Sequence, residues 1–346
     1  MIYRELGKTG MRISALSLGT NRLRSCTQAE VDVITNTLLD RGVNFISTGW
    51  VYQVQDKIGN AVGHRRRDYF LSSKATSPDG KVVRERLEQG LRDLKTDYFD
   101  IFELDYINTH AALAAHLSPG GAVEELRKAR DEGLVRFIGT SSHRPDVIAK
   151  LVEMDAVDTA TFMMSWVQQY ALTDLLPLAR EKRVGTIAIR PIDHGALKPA
   201  DRALAFALHS GVDVVLSGMT SLEQIDYNLA AADRAFAMAP DEVSAMLAEA
   251  DALPKSGCRH CDLCKCPYEL RIGFVLPLFH YRERYGLNAA GDGPTAEETD
   301  GAGMWERNRL RAVEATQHCA TCGLCEPMCP YGVPIVSYVQ KIAAGA

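Results

Sequence analysis

Across its first 250 residues the chain alternates short apolar runs rich in β-branched residues with amphipathic helical stretches, and few folds accept such a pattern. Eight runs read as strands: ISALSLGT around Ile13, NFISTG around Phe45, YFLSSKA around Leu71, FDIFELDYI around Phe102, RFIGTSS around Ile138, TATFMMSW around Phe162, GTIAIRPI around Ile187 and VDVVLSGM around Val214. Helical periodicity fills the intervals, clearest in QAEVDVITNTLLDR, KVVRERLEQGLRDL, GAVEELRKARDEG and SLEQIDYNLAAADRAF. Gly42, Gly133 and Gly211 stand where helices end, since glycine takes the left-handed conformation that reverses a chain into the next strand. Eight βα units in roughly 240 residues suit a closed (β/α)8 TIM barrel better than a six-stranded open sheet.

A further helix begins at Pro240-Asp241-Glu242, and Leu253-Pro254-Lys255-Ser256-Gly257 interrupts it. Residues 1–250 therefore read as the barrel and 257–340 as an appendage with a polar loop, AAGDGPTAEETDGAG. In the appendage, Tyr281, Arg282, Arg284 and Tyr285 form either a docking patch or a helix face packed on the barrel. Lys and Arg number 39 against 44 Asp and Glu, a net charge of -5, which argues against general nucleic-acid binding. Neither a secretory leader nor an apolar run of spanning length is visible, so the expectation is a cytoplasmic protein without membrane insertion.

Eight of the nine cysteines lie in two compact groups near the C-terminus, which points to ligation rather than dispersed disulfides. The second group, Cys319, Cys322, Cys325 and Cys329 followed by Pro330, has the CxxCxxCxxxCP spacing that wraps a chain around a cubane iron–sulfur cluster. The first, Cys258, Cys261, Cys264 and Cys266 followed by Pro267, is shorter before its last cysteine than common ferredoxin spacings. Together they predict two [4Fe-4S] clusters, one held by Cys258, Cys261, Cys264 and Cys329 and the other by Cys319, Cys322, Cys325 and Cys266. Structural zinc is the alternative, given its similar taste for thiolate, with incomplete ligation a further one for the first group; His260 reads as a solvent-facing histidine or one that hydrogen-bonds to the ligating groups rather than as a substitute ligand. Cys26 stands apart, after Arg22 and Arg24, as either an activated thiolate or a buried, unreactive thiol.

RELGKTGMRISALSLGT, GVNFISTGWVY, LSSKA and VDVVLSGMTSLEQIDYNLAAAD together resemble the aldo/keto reductase superfamily over almost the whole barrel. With the cysteine groups the chain resembles the subgroup carrying a fused C-terminal ferredoxin-like domain. That resemblance implies a (β/α)8 barrel with a small ferredoxin-like iron–sulfur domain, NADP(H) at the C-terminal mouth, and carbonyl reduction by hydride transfer with proton donation. The family's tetrad is Asp, Tyr, Lys and His. Its DTAxxY pattern stands here as Ser47-Thr48-Gly49-Trp50-Val51-Tyr52, so Tyr52 keeps the proton donor while Ser47 replaces the aspartate. Lys74 in LSSKA is the strand lysine, a cation that favours the tyrosinate left after donation. Asp105 falls where the family has its histidine, and His110 lies farther along the loop.

The resemblance extends to cofactor-binding positions: Ser141 for the carboxamide, and Gly218, Ser221, Gln224 and Asn228 in the phosphate and adenine segment, where helix-start amides can hold phosphate. Ser142 replaces a frequent asparagine and Thr161 a frequent glutamine. His143 and His194, after strand ends, are secondary candidates. Two readings of the site follow: a rearranged proton-transfer site of Tyr52, Lys74 and Asp105, or a packed phenol with a structural lysine. The functional expectation is an iron–sulfur oxidoreductase of aldo/keto reductase type that takes a small-molecule substrate and a redox partner protein and couples cluster electrons to the barrel mouth. A non-catalytic electron-transfer or scaffold subunit with a degenerate reductase site is the alternative.

Overall fold

The computed structural model describes residues 1–193, 197, 199–252, 258, 261, 263–273, 275–276 and 313–344. An antiparallel hairpin, β1 (Tyr3–Glu5) and β2 (Arg12–Ser14), precedes eight parallel strands. These are β3 (Leu16–Gly19), β4 (Phe45–Ser47), β5 (Phe70–Ala75), β6 (Phe99–Asp105), β7 (Val135–Ser142), β8 (Thr159–Met163), β9 (Gly185–Ile189) and β10 (Val214–Ser217). They run in sequence order around a closed barrel, with β10 pairing back onto β3 through Val215 and Leu16. Every strand expected from the apolar runs is present. One boundary differs: Ile13 belongs to the hairpin and the first barrel strand starts at Leu16, because the chain turns between Ser14 and Leu16.

Local chemistry sets the helices. Thr27 caps Gln28–Asp40 in a reciprocal capping box with Glu30, and Asp79 caps Gly80–Leu94 by accepting from the Lys81 amide at 2.8 Å. Gly42 and Gly211 take φ of +86° and +85° at the reversals into β4 and β10, as their positions predicted.

The core has two layers. Outward-facing strand residues such as Leu71, Phe102, Leu104 and Ile138 pack beneath the helices. Inside the barrel, Phe45, Ile101, Ile187, Val214 and Leu216 meet Leu6, Met11 and Ile13 of the hairpin, which plugs the N-terminal end. Each of these buried side chains contributes roughly 1.5–3 kcal/mol of burial. Since strand side chains alternate between faces, the residues above this apolar plug point toward the C-terminal mouth, and there they are polar.

Beyond the helix Pro240–Asp251, a separate apolar cluster gathers Leu270, Ile272, Val275 and Leu276 with Val333, Ile335, Val339 and Ile342, the last three on the helix Ile335–Ala343. It meets the barrel where Gln168 Nε2 donates to the Cys258 carbonyl at 3.3 Å and Tyr170 stacks on Tyr331 at 6.4 Å. Among the described residues, no helix is long and apolar enough to cross a membrane. The docking patch of Tyr281, Arg282, Arg284 and Tyr285, together with His194 and His260, lies outside the described residues.

The expected ferredoxin-like iron–sulfur domain is corrected. Among the described residues, which include all eight cysteines of the two groups, no group of three or more His, Cys, Asp or Glu is arranged to hold a metal ion. Spacing counts residues between thiols, whereas ligation needs thiolates converging on one point. The two runs do come within electrostatic reach: Cys264 feels Cys329, Cys261 and Cys258, and Cys325 feels Cys266 and Cys319. Burial, the leading cause, pushes Cys261, Cys264 and Cys325 up, Cys264 to about 12, and so favours the thiol. No disulfide joins any cysteine, and Cys26 is a buried thiol raised first by desolvation.

Candidate active site

The C-terminal ends of the strands enclose a cleft of about 300 Å³, lined by Ser47, Tyr52, Lys74, Asp105 and Ser141 together with Arg22, Tyr106, His143, Arg190 and Gly218. The four sequence-predicted catalytic residues and Ser141 thus share one cavity. Lys74 comes from the end of β5, Asp105 from the end of β6, Ser141 from β7 and Ser47 from β4. Tyr52 follows from the short 3-10 turn Trp50–Tyr52.

Lys74 is the hub. Its Nζ lies 3.4 Å from Asp105 Oδ1, donates to Ser141 Oγ at 3.2 Å and sits 5.4 Å from the centre of the Tyr52 ring. Only 5% of the residue is exposed. Burial alone would lower its pKa, but Asp105, then Tyr52 and Glu103, outweigh that penalty and hold the ammonium above its ordinary value. Asp105 is oriented from its other side, where Thr76 Oγ1 donates to Oδ2 at 3.0 Å.

Gly49 makes this approach possible. A Cβ there would lie 2.9 Å from Lys74 Cγ and 3.4 Å from Tyr52 Cε2. Gly49→Ala is therefore expected to push the lysine stem aside and destabilise the protein by about 1–3 kcal/mol, the usual range for overpacking. Urea unfolding of the two proteins checks this, and an unchanged midpoint would show that the lysine yields without cost.

The resemblance-derived nucleotide positions divide. Gly218 and Ser141 line the cleft. Ser221 instead caps the helix Leu222–Ala237 by accepting from the Gln224 amide at 3.2 Å. Gln224 is fully buried and accepts from the Thr220 amide at 2.8 Å, and Asn228 Nδ2 donates to Ser217 Oγ at 3.2 Å. Each of these three side chains makes a hydrogen bond within its own segment. Ser142 is likewise turned inward, onto the Ile107 carbonyl and Asn108.

Several mouth residues escaped the sequence reading. Tyr106 and Arg190 line the cleft with φ of +64° and +57°, conformations that cost a side-chain-bearing residue on the order of 1–3 kcal/mol and gather at functional sites. Tyr106 meets His143 edge-on at 5.3 Å. Glu103, buried one layer below Asp105, was also missed, although two acids spaced by two on one strand share a face. His110 begins the exposed start of the helix His110–Leu117, away from the cleft lining.

The profile of the aldo/keto reductase family matches residues 15–202, more than half of the chain. The chain belongs to the aldo/keto reductase family. It is 26% identical over 302 residues to L-galactose dehydrogenase of Arabidopsis thaliana, covering 72% of this chain and 93% of that protein. It is 27% identical over 225 residues to the uncharacterized oxidoreductase YqkF of Bacillus subtilis (strain 168), covering 59% and 69%. Among solved structures it resembles the holo form of aldo-keto reductase AKR11C1 from Bacillus halodurans, with a TM-score of 0.63, 21% identity and coverage of 72% and 96%, a likeness of fold. Family membership accounts for the barrel, and with no metal-holding group among the described residues neither the two [4Fe-4S] clusters nor a cluster-coupled activity is supported.

Proposed function

We propose that this protein is an NADP(H)-linked carbonyl reductase in which the carboxylate that partners the strand lysine has moved from β4 to β6. The observation that carries this reading is the buried Lys74–Asp105 pair beside Tyr52, in a chain where Ser47 stands in place of the family's aspartate. The cofactor's chemistry suits the far wall of the cleft. Gly218 lets the backbone run close to Arg22, where a Cβ would stand 3.1 Å from the Arg22 stem, and Arg190 brings a second positive charge to the same cavity. Arg22, Arg190 and the Gly218 backbone would hold a nicotinamide nucleotide there, and its chemistry when bound would be hydride transfer.

The chain's own residues do the rest. Tyr52 donates a proton to the carbonyl oxygen, and the Lys74 ammonium stabilises the tyrosinate that remains. Asp105 and Ser141 fix the position of that ammonium. Burial strengthens all of these interactions, because water does not screen them. The substrate is a small molecule presented to this cleft. None of the nine cysteines is in a disulfide, in keeping with a reducing compartment such as the cytoplasm.

The test is NADPH consumption against a carbonyl panel that includes aldoses, in view of the likeness to L-galactose dehydrogenase. Asp105→Asn removes one charged partner of Lys74 and is expected to lower turnover about 10- to 100-fold, the scale of a charged hydrogen bond. Restoring a carboxylate on β4 in the double variant Ser47→Asp, Asp105→Asn should recover much of the loss. Turnover untouched by Asp105→Asn would overturn the relocated-carboxylate reading.

A further inference from the structure

We propose that Glu103 is a positioning residue of the reductase site: a second carboxyl, buried beneath Asp105, whose proton sets the charge around Lys74 and so governs proton delivery by Tyr52. Side chains on β6 alternate, and Ile101, Glu103 and Asp105 rise in order from the apolar plug to the mouth. Glu103 pairs in register with Lys74 on β5 and with Gly139 on β7. Its side chain crosses β7 and accepts a hydrogen bond from Thr161 Oγ1 on β8.

Gly139 makes that crossing possible. A Cβ at 139 would lie 2.8 Å from Glu103 Cγ and 2.6 Å from Thr159 Oγ1. Thr161, which stands where many family members have glutamine, is the donor that this reach requires.

The surroundings differ from those of a structural ion pair. Asp100, as buried as Glu103, receives Arg66 at 2.7 Å, Arg136 at 2.9 Å and the Leu71 amide at 2.9 Å. Glu103 has Thr161 on one oxygen, while its Oε2 has no partner among the described residues. A carboxylate so placed is poorly solvated, and the neutral acid is the cheaper occupant. The charged and titratable groups that face it are Lys74 on β5 and Asp105 on its own strand. Burial raises its pKa to about 7, against the opposing pull of Lys74 and Thr161 and with added repulsion from Asp105.

Charge around Lys74 follows. With Glu103 neutral, the ammonium is balanced by Asp105 alone and remains available to a tyrosinate. With Glu103 ionised, two negative charges surround it and a third at Tyr52 is disfavoured. Turnover should therefore fall as pH rises through neutrality.

The role in turnover rests on the carbonyl-reductase reading, but the titration of the carboxyl does not. Infrared difference spectra of the full-length protein, without substrate or nicotinamide, should show a protonated carboxyl that is lost near neutral pH and is missing in Glu103→Gln. Thr161→Val, which keeps the carboxyl and removes its donor, should move that titration to higher pH. In turnover, Glu103→Gln should lose the decline toward alkaline pH and raise kcat above the wild-type value there, with KM little changed. No titrating carboxyl assignable to Glu103, an unmoved titration in Thr161→Val, or an unchanged pH profile in Glu103→Gln would each overturn the proposal. A titrating Glu103 in a protein that reduces no carbonyl would instead locate the failure in the proposed reaction.

Discussion

Tyr52→Phe is expected to lower turnover by about 100- to 10,000-fold, the span that positioned general acids supply. The substitution deletes one hydroxyl and retains the ring that lies 5.4 Å from Lys74 Nζ, so packing and the cation–π contact persist. Nicotinamide affinity should change little, because the groups proposed to hold it, Arg22, Arg190 and Gly218, follow β3, β9 and β10 rather than β4, whose loop carries Tyr52. Loss of kcat with preserved binding is the signature of an interaction made in the transition state. Steady-state kinetics with a calorimetric NADPH titration separate the two quantities, and equal turnover would remove Tyr52 from the chemistry.

The second large effect concerns stability. Lys74→Met keeps side-chain length and removes the cation that faces Asp105 and Glu103. Removing one partner of a buried pair typically costs about 3–5 kcal/mol, since the remaining charge is stranded in a poorly solvating interior. In the wild type, Lys74 has a folded pKa above its ordinary value, so its contribution is fully present at neutral pH and is lost only as pH rises through that folded value. In Lys74→Met the burden passes to the carboxyls. Glu103 already has a folded pKa raised to about 7, so its neutral form favours folding below its ordinary carboxylate value and that contribution is lost as pH rises through about 7.

Without Lys74 the attraction that opposes burial at Glu103 is gone, and its pKa shifts further up. The variant should therefore be most handicapped at and above neutral pH and regain stability in mild acid, where Glu103 is protonated. Urea unfolding at two pH values checks the sign. A loss that is independent of pH would assign the effect to packing rather than charge.

Much of the fold was legible along the chain because the signal is local. Runs such as FLSSKA and GTIAI have the composition of buried parallel strands, and the helices between them carry caps such as Thr27 with Glu30. The hairpin plug was not legible as such: Ile13 has the same apolar character whether it lines the barrel or seals its end. Tyr52, Lys74, Asp105, Ser47 and Ser141 were found through motif positions, and strand ends at one mouth brought them together. The cysteine spacing misled. It described ligand order along the chain, while the folded residues set the burial and protonation of the thiols and leave no metal-holding group among those described.

The sequence by itself determined the βα repeat, the barrel and the candidate donors, because periodicity and residue chemistry are properties of neighbours along the chain. Only the tertiary structure decided that Asp105 partners Lys74 across two strands, that Gln224 and Asn228 turn inward, and that Glu103 passes Gly139 to reach Thr161. The reason is physical: those relations depend on which side chains barrel closure buries together, where low solvation makes the choice of partner decide each group's charge.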